Sequence, residues 1–215
     1  RVIQHTSLPG IFPPYPTRKD MGLYASMNAA KQVGGDFYDF YMVKENILAV
    51  VVADVADKGI PAAMFMMKAK TVLKSYAVSG RAVDKVVSMT NEELAKDNAN
   101  MFVTVWIGFI NLKTGLVQYV HAGHTYPLVI RGNEVLQIKQ KRNFVVGGKR
   151  DAVFLKQEYQ PLPGDTLFLY TDGVTEAINK DNEEYKEERL KKKLLEITGS
   201  NGCDDGNELC RQVCT

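Results

Sequence analysis

Residues 47–63 read ILAVVVADVADKGIPAA. The run from Ile47 to Ala53 is apolar throughout and rich in β-branched valine, the composition of a buried strand. It breaks at Asp54, far short of the roughly 20 residues that cross a bilayer, so it is not a membrane span. Pro61 suits the first turn of a helix, where a missing N–H is no loss. Ala62, Phe65, Met66, Ala69, Val72 and Leu73 then return at spacings of three and four, which predicts an amphipathic helix from Pro61 to Val78. A buried strand that ends on an aspartate and turns at once into a helix is the unit from which the rest is read.

Working outward, apolar runs bordered by Gly, Asn or Pro predict strands at Leu23–Met27, Phe37–Val43, Phe102–Ile110, Leu116–Val120, Leu128–Ile130 and Thr166–Tyr170. Helical spacing predicts a second helix from about Val83 to Asp97 and a third from about Glu183 to Ile197, closing at Gly199. Most strands follow one another without an intervening helix. The expected class is therefore α+β, with largely antiparallel sheets and helices on their faces. The prolines at Pro9, Pro13, Pro14 and Pro16 suit an extended segment. Residues 1–20 are thus expected to be a lead-in from an upstream region, and residues 21–215 one domain. A start at Arg1, with no signal peptide, reads as a piece of a longer chain.

Composition excludes several classes. The chain has 215 residues, 45% hydrophobic and 24% charged, which fits a globular core and not a disordered tail, a collagen-like fibre or a coiled-coil rod. Against 25 Asp and Glu stand 27 Lys and Arg, a net charge of +2. That is far from the basic excess that binds a phosphate backbone, so no nucleic acid or membrane surface is expected as partner. The Lys191-Lys192-Lys193 run is read as a solvated helix face. Cys203, Cys210 and Cys214 all lie in the tail, where they cannot staple the fold and lack the close pairs of a zinc site, which suits a reducing, cytoplasmic setting.

Familiar catalytic signatures are missing: no phosphate-binding G-x-x-x-x-G-K-[ST] loop, no G-x-S-x-G elbow, no H-E-x-x-H helix. A cysteine phosphatase would need Arg six residues after its Cys, but Cys203 is followed there by Leu209. What remains is aspartates at abrupt strand ends. Asp36 follows Gly34-Gly35, Asp54 ends the most apolar strand, and Asp172 ends the run from Thr166 and precedes Gly173. A carboxylate next to a buried run is costly to ionise without compensation. Lys58 could supply the positive charge. Three converging carboxylates would more naturally hold hard divalent cations, which prefer oxygen ligands. Alternatively, each Asp simply caps a turn or the next helix.

These residues sit in motifs that resemble a known family. Val33-Gly34-Gly35-Asp36-Phe37-Tyr38-Asp39-Phe40 and Ala53-Asp54-Val55-Ala56-Asp57-Lys58-Gly59-Ile60-Pro61-Ala62-Ala63 look like the first two signatures of SpoIIE-type phosphatases. Met101-Phe102-Val103-Thr104, His121-Ala122-Gly123-His124 and Leu169-Tyr170-Thr171-Asp172-Gly173-Val174-Thr175-Glu176-Ala177 continue the match in order. These are bacterial members of the metal-dependent PPM serine/threonine phosphatases. The resemblance implies an αββα sandwich of two antiparallel sheets flanked by helices, and a two-metal site for Mn²⁺ or Mg²⁺. It assigns Asp54 as bridging ligand, Asp36 as the ligand shared with the second metal, Asp172 as a ligand of the first, and the Val55 carbonyl as a further ligand. Gly35, Asp39, Lys58, His124 and Gly173 are implied to orient these ligands or touch the substrate.

The implied reaction is hydrolysis of phosphoserine or phosphothreonine in a protein, of the anti-sigma-factor antagonist type, by a metal-activated water without a phosphoenzyme. An upstream sensor and a homodimer are also implied, and a degenerate module that binds a phosphoprotein without turnover is the competing reading. A nucleotide cyclase suggested by Gly34-Gly35-Asp36 fails on Phe37, where that chemistry needs an acid.

The chain departs from the family twice. Relatives close with Asp-Asp before an apolar strand, whereas Asp204-Asp205 precedes Gly206-Asn207-Glu208-Leu209, which reads as a helix start. Lys186 stands where relatives often have Gly. Among smaller features, Asp39 alternates with Phe37 and Tyr41, so it is expected on their side of the sheet and not with the metals. His121 and His124 are read as turn ties or, less simply, as general acids. Met64, Met66 and Met67 are read as core or as an adaptable coupling surface, and Trp106 as core.

Overall fold

In the computed structural model the elements run β1 (Phe37–Lys44), β2 (Ile47–Val55), α1 (Ile60–Val78), α2 (Val83–Leu94), β3 (Val103–Asn111), β4 (Val117–Ala122), β5 (Leu128–Arg131), β6 (Glu134–Gln137), β7 (Gln157–Tyr159), β8 (Thr166–Phe168), α3 (Asp172–Thr175), α4 (Lys186–Asn201) and α5 (Gly206–Val213). The described residues are 8–28, 34–97, 101–138, 141–201 and 206–213. They divide into two units, each with its own antiparallel sheet, so the class is α+β with two antiparallel sheets and helices packed on them.

The first unit comprises Arg1–Gly10, Ala29–His124 and Gln140–Pro161. Its five strands are ordered β1-β2-β3-β4-β7. One face carries Phe37, Val51, Ala53, Val55, Val103 and Val105, all buried, and receives α1 and α2. α1 buries Ala62, Phe65, Met66, Ala69, Leu73 and Ala77, the stripe its spacing predicts. Met66 is core, whereas Met64 is 70% exposed. Trp106 is buried and stacks on Tyr119 at 5.6 Å between ring centroids.

A buried ion pair ties α1 to β1. The Asp39 carboxylate lies 2.9 Å from Lys70 Nζ and 3.9 Å from Lys74 Nζ, and accepts the Phe40 N–H at 2.9 Å. Lys74 also lies over the Tyr41 ring at 4.9 Å. Burial and the neighbouring Asp39 charge push the Tyr41 phenol well above its ordinary range.

The second unit comprises Ile11–Asn28, Thr125–Lys139 and Leu162–Thr215. Its sheet is ordered β6-β5-β8, and its core gathers Leu128, Ile130, Phe168, Tyr170, Leu190, Leu194 and Leu209 from the sheet and from α4 and α5. Arg131 grips the buried Asp165 with two parallel bonds of 2.8 and 2.7 Å. That guanidinium holds the Asp165 carboxyl below the usual range.

Several elements differ from expectation. Leu23–Met27 forms no strand: residues 21–28 are only half-buried or exposed, so no strand pairing is gained, and the Tyr24 ring packs tilted against Phe12 with centroids 4.6 Å apart. β6 and β7 were not anticipated because EVLQ and QEY are short and polar, as strands at a sheet edge tend to be. α4 runs through Gly199 to Asn201, because a glycine ends a helix only where a left-handed residue is needed.

The start of α4 also moves. Residues 178–185 form a tight turn, with Ile178 bridging Glu184 and the Asn179 side chain accepting the Asp181 and Glu183 N–H groups. The chain leaves that turn through Lys186 at φ 65, left-handed backbone that glycine adopts freely and a side chain resists. Lys186→Gly should therefore stabilise the chain by about 1 kcal/mol, read as a rise of about 2–4 °C in the melting temperature. An unchanged or lower melting temperature would contradict it. Gly206-Asn207-Glu208-Leu209 opens a helix as its sequence suggests, whereas Asp204-Asp205 lies outside the described residues.

Candidate functional site

The β1–β2 register pairs Phe37 with Ala53. Continued past that last pair, the same register sets Asp36 opposite Asp54 and then Gly35 opposite Val55. Packing agrees: a Cβ added to Gly35 would lie 2.7 Å from the Val55 carbonyl oxygen and 3.0 Å from Val55 Cβ. Only a residue without a side chain lets the two backbones come this close. Both aspartates are half-buried. Like charges directly across a strand pair repel, and a cation held between them would relieve that repulsion.

β3 closes the other side. Thr104 pairs with Asp54, and its hydroxyl donates to the Asp54 carbonyl at 3.3 Å while lying 2.9 Å from His124 Nδ1. The direction of that second contact follows the His124 tautomer. His121 Nε2 donates to the His124 carbonyl at 2.7 Å. Burial pulls the His121 pKa down and Arg142 adds to that, against the opposing pull of the His124 carbonyl. His121 is therefore neutral near pH 7, with its proton committed to a turn. Both buried histidines act as ties for the 121–124 corner.

After Val55 the chain turns sharply. Asp57 adopts φ 123, a strained conformation for a side-chain-bearing residue, and its carboxylate accepts the Lys58 N–H at 2.7 Å. Lys58 is exposed, and its ammonium makes no ion pair among the described residues, so it does not neutralise Asp36 or Asp54 here. Asp39 faces the helices with Lys70 and Lys74, on the side away from Asp36 and Asp54, as the alternation implies.

Asp172 and Gly173 belong to the second unit, where both are exposed at the first turn of α3. The Asp172 carbonyl accepts the Glu176 N–H at 2.7 Å. The structure thus brings together Gly35, Asp36, Asp54 and Val55, joined through Thr104 to His124. Among the described residues no group of three or more His, Cys, Asp and Glu side chains assembles as a metal site. The first unit's donors are two carboxylates and a carbonyl, an all-oxygen set that fits Mg²⁺ or Mn²⁺ and not a soft metal.

Thr104 lies in the Met101-Phe102-Val103-Thr104 motif, and its role follows from its cross-strand place beside Asp54. Asn91 is a polar residue on the buried stripe of α2 with Val83, Val86, Val87, Thr90 and Leu94, and no local pattern in the sequence marks it.

The family described as Stage II sporulation protein E (SpoIIE) matches residues 44–215, and the chain belongs to it. It is 28% identical over 222 residues to Protein IcfG of Synechocystis sp., covering 90% of this chain and 34% of that protein. Against phosphoserine phosphatase RsbU of Bacillus subtilis it is 27% identical over 201 residues, covering 92% of this chain and 58% of RsbU. The chain therefore spans well under two thirds of either relative. Among solved structures, the PP2C phosphatase domain of SpoIIE from Bacillus subtilis superposes with a TM-score of 0.71 at 20% identity, covering 86% of this chain and 52% of that one. RsbX in complex with magnesium gives a TM-score of 0.63 at 15% identity, with 86% and 81% covered. These likenesses show a PP2C-type fold.

Proposed function

We propose that this chain is the phosphatase module of a longer protein and hydrolyses phosphoserine or phosphothreonine in a regulatory protein of the anti-sigma-factor antagonist type. The observation that carries the reading is the facing pair Asp36 and Asp54, with Gly35 pressed on the Val55 carbonyl. Asp36, Asp54 and the Val55 carbonyl would hold Mn²⁺ or Mg²⁺, and the family resemblance assigns Asp172 as a further ligand. Such cations would supply an activated water and offset charge on the phosphoryl oxygens.

The chain's own residues supply placement. Thr104 pins the strand carrying Asp54, and the 121–124 corner pins Thr104 through His124. His121 is not available as a proton donor to a leaving serine, because its proton bonds the His124 carbonyl. Lys58, exposed in the loop after Val55, would meet the negative charge of a phosphorylated substrate. The name phosphoserine phosphatase carried by RsbU supports the substrate class, and the magnesium of the RsbX structure supports the metal class. A cytoplasmic setting, an upstream sensor and a homodimer belong to the same proposal.

The degenerate binding module remains the second reading, favoured by the absence of a three-residue cluster among the described residues. Calorimetric titration with Mn²⁺ separates the two. Saturable binding that EDTA reverses is expected of the phosphatase, and no binding at millimolar Mn²⁺ would sink it.

A further inference from the structure

We infer that Asn91 on α2 is a positioning residue for the Asp54–Val55 end of the sheet, acting through the 147–150 turn. The inference rests on the proposed metal role of the Val55 carbonyl and goes beyond it. Asn91 is completely buried, and its whole amide is spent on one loop. Its Oδ1 accepts the Gly147 N–H at 2.8 Å, and its Nδ2 donates to the Lys149 and Arg150 carbonyls at 2.9 and 3.0 Å. A polar side chain on the apolar stripe of a helix is kept only if its bonds are worth more than the apolar contact it displaces. Here three bonds hold one turn.

That turn is the next layer of the site. Gly147 adopts φ 86, and a Cβ there would lie 3.3 Å from both Leu94 and Phe65, so the turn is pressed against α1 and α2. Immediately before it, Val146 exchanges two 2.9 Å backbone bonds with Val103. Val103 pairs on its other side with Val55, and Phe102 accepts the Ala56 N–H at 2.9 Å. A path of hydrogen bonds and covalent backbone therefore runs from Asn91 through Gly147, Val146, Val103 and Phe102 to Ala56, the residue after Val55. It contains no flexible side chain after Asn91. Without the clamp, Val103 loses a fixed neighbour on one side, and the Val55 carbonyl is free to shift relative to Asp36 and Asp54.

Mn²⁺ affinity and amide exchange of the 215-residue chain test this at a temperature where each variant is folded by circular dichroism. Asn91→Leu, close in volume but without the amide, should weaken Mn²⁺ binding by about 10-fold or more and speed exchange at the Gly147 and Val146 amides. Val86→Ala, a buried truncation on the same helix, should lower the melting temperature without weakening Mn²⁺ binding. Should Asn91→Leu fail to fold, Gly147→Ala disturbs the turn from the other side and should weaken binding in the same way. Unchanged Mn²⁺ affinity in the folded variant, or an equal loss in Val86→Ala, would overturn the positioning role alone. A wild-type chain that binds no Mn²⁺ would instead overturn the metal reading, and this inference with it.

Discussion

Asp54→Asn removes metal-dependent stabilisation while leaving the metal-free chain at least as stable as the wild type. Continued one step, the register sets Asp54 opposite Asp36, and like charges so placed destabilise, on the scale of a cross-strand pair of up to about 1 kcal/mol. An amide at position 54 keeps the shape and removes the repulsion. Without metal, the variant should therefore melt up to about 4 °C higher, at roughly 2–4 °C per kcal/mol for a chain of this size. Saturating cation reverses the order. At a free concentration near 100 times the dissociation constant the wild type gains about 2.7 kcal/mol, a rise of roughly 5–10 °C, and the variant gains little. Melting curves with EDTA and with Mn²⁺ read both halves. If Asp54 only capped a turn, the variant would be less stable in both conditions and the curves would not exchange order.

Gly35→Ala is expected to damage the same site from the backbone side. The added methyl would lie 2.7 Å from the Val55 carbonyl oxygen and 3.2 Å from its nitrogen. Backbone in the middle of a paired strand cannot step aside as a flexible side chain can, so strand β1 or β2 must shift. Overpacking of this kind costs about 1–3 kcal/mol, a loss of roughly 2–12 °C, and displaces the carbonyl proposed as a ligand. Mn²⁺ affinity should therefore fall along with the melting temperature. Gly22→Ala, where an added Cβ meets nothing within 4 Å, serves as the control and should change neither. Equal, small effects at the two glycines would show that the close approach has no bearing on the site.

These expectations depend on features that differ in how visible they are in the sequence. The strand carrying Asp54 is legible because seven consecutive apolar residues leave it no polar face, a signal that survives any register. The Gly35-Asp36 motif is legible for the same reason that Gly35→Ala should fail: an invitation to close backbone approach is written as the absence of a side chain. Local signals stop where partners are distant in the chain. Lys70 lies 31 residues from Asp39, and nothing around either residue announces their buried ion pair. Gly147 and Asn91 are likewise linked only by the fold. β6 and β7 escape notice because an edge strand is stabilised by its one neighbour and so can be short and polar. Leu23–Met27 errs the other way, with strand-like composition but no neighbour to pair with.

The central claim is that the facing carboxylates serve a phosphatase, and phosphate release tests it most directly. The 215-residue chain is incubated with a phosphoserine-bearing anti-sigma-factor antagonist protein, with Mn²⁺ and with EDTA, beside Asp54→Asn. Release by the wild type that requires Mn²⁺ and is lost in Asp54→Asn is the predicted result. Release that persists in EDTA or in the variant, or a wild type that binds Mn²⁺ and the phosphoprotein yet releases no phosphate, would contradict it.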